Sequence, residues 1–255
     1  MKIYATKRSG FALIELLIAM VLGLLLMTGA IQVMLSSKQT FRANEDMSRI
    51  QENGRFALDL LIRDVRMAGF RDPANGDIPA FFLTDACDTL NPCTNNGTTV
   101  VSDRLAVQSD PANDVDCVGT AIGATDLIAK VYSITNANGI NSLSCRTWNV
   151  TTNSWVSASQ ALIDGIDNMQ VLYGIRVGTD TSITQYVSSD RVGDWTMVSA
   201  VRIGLLVSEG NLTGQGDARQ RDFVLLDSPT LSFTDRHARR IYGTTVSINN
   251  ALNAG

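Results

Sequence analysis

Histidine is nearly absent from this chain: His237 is the only one in 255 residues. That count excludes a multi-histidine metal centre and leaves any Ser/His/Asp triad to be built on a single ring. His237 stands among Asp235, Arg236, Arg239 and Arg240, in a turn or strand entrance where a structural or solvated imidazole is the simpler reading. A Walker loop and a dinucleotide-binding glycine fingerprint are also missing, so no cofactor and no enzymatic activity are expected. A basic excess is missing as well, with 21 basic against 25 acidic residues, which argues against direct nucleic-acid binding.

Acidic residues are wholly absent from the first ten positions, MKIYATKRSG, which hold Lys2, Lys7 and Arg8. From Phe11 to Leu35 there follows an apolar run whose only ionisable side chain is Glu15. At about 1.5 Å per residue such a helix covers a bilayer core of roughly 30 Å. The basic prefix keeps the N-terminus cytoplasmic and sends the rest of the chain outward. An ordinary secretory signal carries its small-residue cleavage site beyond the apolar stretch. Here the small residue, Gly10, precedes it, so cleavage would remove the charges and leave the greasy helix starting at Phe11.

Gly10-Phe11-Ala12-Leu13-Ile14-Glu15 resembles the class III leader of type IV pilins and type II secretion pseudopilins, whose usual text is GFTLIE, with Ala12 the one departure. The resemblance implies cleavage by a prepilin peptidase between Gly10 and Phe11, with N-methylation of Phe11. It also implies an assembly role for Glu15: meeting the N-terminal amine of a neighbouring subunit and setting axial register. An acid inside a membrane segment is costly and usually has a partner, which favours this over a carboxylate that merely reaches the headgroups.

Beyond Leu35 the helical pattern continues but becomes amphipathic. Met47, Ile50, Gly54, Ala57, Leu61, Val65 and Ala68 recur at spacings of three and four, with Arg49, Glu52, Arg55, Asp59, Arg63 and Arg66 on the other faces. Helix from Phe11 to Ala68 would be roughly 85 Å long and needs something to pack against. Gly54 is expected at a close-packing point under a sheet, since an interior glycine costs about 1 kcal/mol relative to alanine. Gly23 and Gly29 in the apolar half would let helices approach. Gly69 then caps the helix and Pro73 prevents its return. The segments QENGRFAL at 51–58 and Arg63-Asp64-Val65-Arg66-Met67-Ala68-Gly69 resemble PilW-type minor pilins of type IV pili, with a shorter echo in the J-type pseudopilins of type II secretion.

Residues 72–102 read as loop. Strand signals follow at 104–107, 126–134, 146–150, 154–157, 160–177, 198–207, 221–226 and 240–248, with turns at Asp164-Gly165 and 211–217. Trp148 and Trp155 fall near the tip of one hairpin and are expected to pack across it rather than to bind a ligand. VSAVRIGLLV at 198–207 is the most apolar strand and is expected to be central. The 160–177 stretch, Arg239-Arg240-Ile241-Tyr242 and residues 245–250 also resemble PilW-type heads. The expected fold class is therefore α+β: a long N-terminal helix packed on a mainly antiparallel sheet. The expected organisation is a leader at 1–10, a transmembrane half-helix at 11–35, an amphipathic half at 36–70 and a periplasmic head at 71–255.

Cys87, Cys93, Cys117 and Cys145 all lie in the exported part, where disulfides persist. Four cysteines allow three pairings; Cys87 with Cys93 and Cys117 with Cys145 is the expected set, and zinc is disfavoured because no C-x2-C pair occurs. Asp110, Asn113, Asp114 and Asp116 offer calcium ligands without EF-hand spacing, and a solvated loop is the stronger reading. The resemblance implies a minor pilin that helps initiate pilus assembly and sits at or near the tip. Its implied partners are other minor pilins, the major pilin, the prepilin peptidase, the inner-membrane assembly platform and membrane lipid. The alternatives are a J-type minor pseudopilin and, from another class, a membrane-tethered periplasmic enzyme or binding domain.

Overall fold

The computed structural model describes residues 13–71, 76–83, 93–97, 102–110, 115–123, 126–177, 182–209 and 218–250. The one α-helix among the described residues, α1, spans Leu13–Met67. The chain divides into two compact units, Met1–Glu45 and Asp46–Gly255.

In the first unit α1 includes an 18-residue window of mean hydropathy 2.4, none of it buried, which is long and apolar enough to cross a membrane. A helix that is hydrophobic all round needs lipid or other helices about it. The hydroxyl in its apolar part has a partner on the helix itself: Thr28 Oγ1 donates to the Leu24 carbonyl at 2.8 Å. That local bond removes the cost of leaving a hydroxyl unsatisfied in hydrocarbon.

In the second unit α1 buries Ile50, Gly54, Ala57, Leu61 and Val65, the stripe that the spacing predicts. Gly69 follows at φ +75°, a left-handed cap that ends the helix. Its N–H donates to the Gln108 carbonyl at 2.8 Å, and a Cβ there would lie 2.7 Å from the Asn250 carbonyl oxygen.

Among the described residues eleven strands follow: β1 (Leu105–Ser109), β2 (Ile128–Ala137), β3 (Ile140–Asn149), β4 (Ser154–Trp155), β5 (Gln160–Asp164), β6 (Ile166–Arg176), β7 (Ile183–Val187), β8 (Val198–Ser208), β9 (Arg219–Phe223), β10 (Leu231–Asp235) and β11 (Arg239–Ser247). The pairings among them are antiparallel. The fold is α+β as expected, but the strands form three sheets: β1-β2-β3-β4 with β5 also on β3, then β11-β8-β6-β7, then β10-β9. The division arises at the turn expected at Asp164-Gly165, which is a corner between two sheets. Gly165, at φ +79°, donates its N–H to Asn141 and accepts from Ser208 N, so the chain leaves the first sheet as β5 and enters the second as β6.

β8 is central in its sheet, as its apolar text predicts, between β11 and β6. β3 begins at Ile140, six residues earlier than expected, because Asn138 (φ 53°) and Gly139 (φ 80°) close a two-residue hairpin from β2. β7 and β10, five residues each, are strands additional to those expected from the text. The loop expected at 72–102 is partly drawn into the sheet edge, with Phe82 N–H on the Ala106 carbonyl and Gln108 N–H on that of Ala80. The turn expected at 211–217 lies outside the described residues.

Three contacts fasten the head to α1. Gly54 meets the ring of Tyr242 on β11. Asn53 Nδ2 donates to the Asp164 carbonyl at 2.9 Å. Asp64 receives Lys130 Nζ at 3.1 Å and the Tyr132 hydroxyl, both from β2. Between them lies one core that joins Ile50, Leu61 and Val65 to Tyr132, Met169, Ile203 and Leu205, each such burial contributing about 1.5–3 kcal/mol.

Candidate assembly interface

Glu15 lies in the first turn of α1, where a carboxylate complements the positive end of the helix dipole. Around it Leu13, Leu16, Ile18 and Met20 are exposed, and the apolar covering continues to Leu35, with Phe41 70 % exposed further on. From Leu13 to Leu35 this surface is apolar on every side and carries one charge near its start. A Cβ at Gly23 or Gly29 would meet nothing within 4 Å, so at both positions there is open space for another helix. Gly10 and Phe11, the expected cleavage and methylation positions, lie outside the described residues.

Several of the head's ionisable groups hold strands together. Arg239 Nε donates to Asp167 Oδ2 at 2.6 Å, and its Nη1 and Nη2 donate to the two oxygens of Asp235 at 2.7 Å. The hydrogen bonds from Arg239 hold the Asp235 carboxyl below the usual carboxylate range. His237 Nδ1 lies 2.9 Å from Glu209 Oε1, and the Arg221 guanidinium caps the His237 carbonyl at 2.7 Å. Burial raises the Glu209 carboxyl, with His237 opposing the rise. These bonds bring β6, β9, β10, β11 and the end of β8 together, with the His237 ring paired to Glu209.

Asp103 escapes attention in the sequence. It is buried, and its carboxylate accepts from Gly97 N at 2.8 Å and Val171 N at 2.7 Å, fixing the 93–97 segment and β6 to the start of β1. Burial pushes its pKa up to about 6, against the lowering effect of those two bonds. Asp64 was legible only as part of the 63–69 motif; its role as anchor for Lys130 and Tyr132 needed the topology. Burial, with Asp64 beside it, holds the Tyr132 hydroxyl well above its ordinary range.

Cys117 and Cys145 form a disulfide with Cα atoms 6.4 Å apart, as expected. Cys93 is also disulfide-bonded, and Cys87 lies outside the described residues. Asp116 uses its carboxylate within the chain, accepting from Val118 N, Thr120 N and Ser157 Oγ at 2.7–2.9 Å. Asp110 donates its N–H to the Phe70 carbonyl, while Asn113 and Asp114 lie outside the described residues. Among the described residues no group of three or more His, Cys, Asp or Glu side chains is arranged to hold a metal.

Trp148 and Trp155 face each other in the β3–β4 register, their rings edge-to-face at 5.1 Å. The Arg146 guanidinium lies 4.0 Å over Trp155. The pair packs the hairpin, as expected.

Two family models match the chain. Residues 5–31 match the prokaryotic N-terminal methylation motif, which takes in Gly10, Phe11 and Glu15. Residues 131–250 match the type IV pilus-assembly protein W model, from within β2 to just beyond β11. A type IV-like pilin from Thermus thermophilus is similar in structure at a TM-score of 0.46 and 14 % identity, over 80 % of this chain and 98 % of that one. No curated protein matches.

Proposed function

Since this chain is a type IV pilus minor pilin of the PilW type, anchored in the inner membrane by its N-terminal helix, we propose that it helps initiate pilus assembly and sits at or near the filament tip. The prepilin peptidase cuts after Gly10 and methylates Phe11. The head then stands in the periplasm with the apolar half of α1 in lipid, and that half moves into contact with the helices of other minor pilins and the major pilin at the assembly platform. Glu15 pairs with the N-terminal amine of a neighbour, so that one buried charge selects one axial register.

The observation that carries this reading is a helix surface of mean hydropathy 2.4 with nothing over it. A leader that strips the adjoining charges supports it. The chain acts by association, and its head uses its charged groups to hold strands. Complementing a deletion strain with Glu15→Leu tests the reading: the variant is processed and membrane-bound, but pili per cell fall at least tenfold. Wild-type piliation with Glu15→Leu overturns the pairing role. Wild-type piliation in the deletion strain itself overturns the initiation role.

A further inference from the structure

The apolar half of α1 gives way to a turn and a half of helix whose charge has one sign. Beyond Leu35 the helix continues as Ser36-Ser37-Lys38-Gln39-Thr40-Phe41-Arg42-Ala43-Asn44, and no Asp or Glu occurs between Glu15 and Glu45. The stretch carries two positive charges, Lys38 and Arg42, and one large aromatic side chain, Phe41.

Their depth follows from the helical rise. At about 1.5 Å per residue, Leu13 to Leu35 covers about 33 Å, enough for a hydrocarbon core of roughly 30 Å. Lys38 to Arg42 then lie about 4–10 Å past Leu35. A headgroup layer is about 5–8 Å thick on each side of the core, and helical side chains lean back toward the N-terminus. All three side chains therefore reach the headgroup layer on the side opposite the basic prefix.

They also share a face. At 3.6 residues per turn, Lys38, Phe41 and Arg42 fall within an arc of about 100°. All three are exposed, Phe41 at 70 %. Among the described residues neither Lys38 nor Arg42 is in an ion pair. Thr40 Oγ1 donates to the Ser36 carbonyl at 3.0 Å, so the hydroxyl in this stretch is satisfied on the helix itself.

We propose that Lys38, Phe41 and Arg42 form a binding site for anionic phospholipid headgroups, which fixes the depth of the anchor; this rests on reading the apolar half of α1 as a membrane helix. The Lys and Arg stems lie along apolar surface while their charged ends meet lipid phosphates, and the Phe41 ring wedges at the boundary between headgroups and chains. Charge decides between occupants. A second copy standing alongside at the same depth would bring two further cations against these two, and like charges facing each other oppose association. An anionic headgroup neutralises both.

Full-length protein with Phe41 replaced by the photoreactive benzoyl-phenylalanine is reconstituted into nanodiscs of phosphatidylcholine and phosphatidylglycerol in equal amounts, irradiated and analysed by intact mass. The expected adducts are phospholipids, with phosphatidylglycerol enriched about fivefold over its share of the bilayer, the factor that one cation near an anionic surface supplies. Lys38→Gln with Arg42→Gln returns the adducts to the bilayer's composition, and these exposed substitutions keep the helix. The proposal is overturned if position 41 gives no phospholipid adduct, if it captures a second copy of the chain instead, if the two lipids are captured in proportion to their amounts, or if the double variant keeps the enrichment. The same photoreactive group at Leu24 keeps the two readings apart: acyl-chain adducts there uphold the membrane helix whatever position 41 shows, and their absence overturns both.

Discussion

Gly54 and Tyr242 are in contact so close that a methyl group cannot be added between them: a Cβ on Gly54 would lie 2.7 Å from Cδ2 of the ring. The helix accepts glycine here, at about 1 kcal/mol relative to alanine, so that β11 can lie against α1. Gly54→Ala therefore trades a helix gain of about 1 kcal/mol for overpacking of about 1–3 kcal/mol. The expected result is a net loss of stability in the wild-type background and a gain in a Tyr242→Ser background. Urea melts of the four proteins give the coupling, and a gain in both backgrounds contradicts the close contact.

Asp103 makes the head's stability depend on pH. Its pKa rises from 3.8 to about 6 in the folded state, so the folded protein binds this proton more tightly than the unfolded chain. The favourable contribution is complete below about pH 4 and is lost as pH rises to about 6, a change of about 3 kcal/mol at most. Asp103→Asn removes one acceptor from Gly97 N or Val171 N and lowers stability overall, but it flattens this segment of the curve. Denaturant titrations between about pH 4 and pH 7 test it; equal slopes in wild type and variant contradict the assignment.

The Cys117–Cys145 bond closes a loop with a sequence separation of 28. Chain entropy puts its contribution at about 3–4 kcal/mol. Relative to wild type, the double variant Cys117→Ser/Cys145→Ser loses about that amount of stability and leaves α1 helical by circular dichroism. A loss below about 1 kcal/mol shows that native contacts already restrain the loop.

Asp64→Asn weakens the fastening of α1 to β2. It leaves Lys130 Nζ and the Tyr132 hydroxyl, a part-buried cation and a fully buried phenol, with a poorer acceptor. The expected cost is about 2–4 kcal/mol. Hydrogen exchange would show the protection lost first in β1 and β2. Loss confined to β11 would contradict this anchor.

The sequence showed the long helix, its buried stripe and its glycine cap because these depend on spacing along one element. Ile50, Ala57, Leu61 and Val65 are legible from their period alone, and so is the central place of 198–207, from its unbroken apolar run. What depended on topology was hidden. Asp164-Gly165 reads simply as a turn in text, and only the pairing of β5 with β3 and of β6 with β8 reveals a corner between sheets. Asn138-Gly139 was an available hairpin signal and would have placed β3 correctly. The Asp103 and Glu209 positions carry no local signature, because a polar residue beside a strand looks solvated until its neighbours bury it. Glu15, by contrast, was conspicuous as the single ionisable residue in an apolar run.

The central claim is that a helix freed of its basic prefix leaves lipid for the company of similar helices. Intact-mass and fragment mass spectrometry of the protein recovered from sheared pili tests it most directly. The account predicts an N-terminus at N-methylated Phe11, in a preparation that also contains the major pilin. Recovery solely from the membrane fraction with Met1 to Gly10 attached, in cells whose peptidase is active, would contradict it.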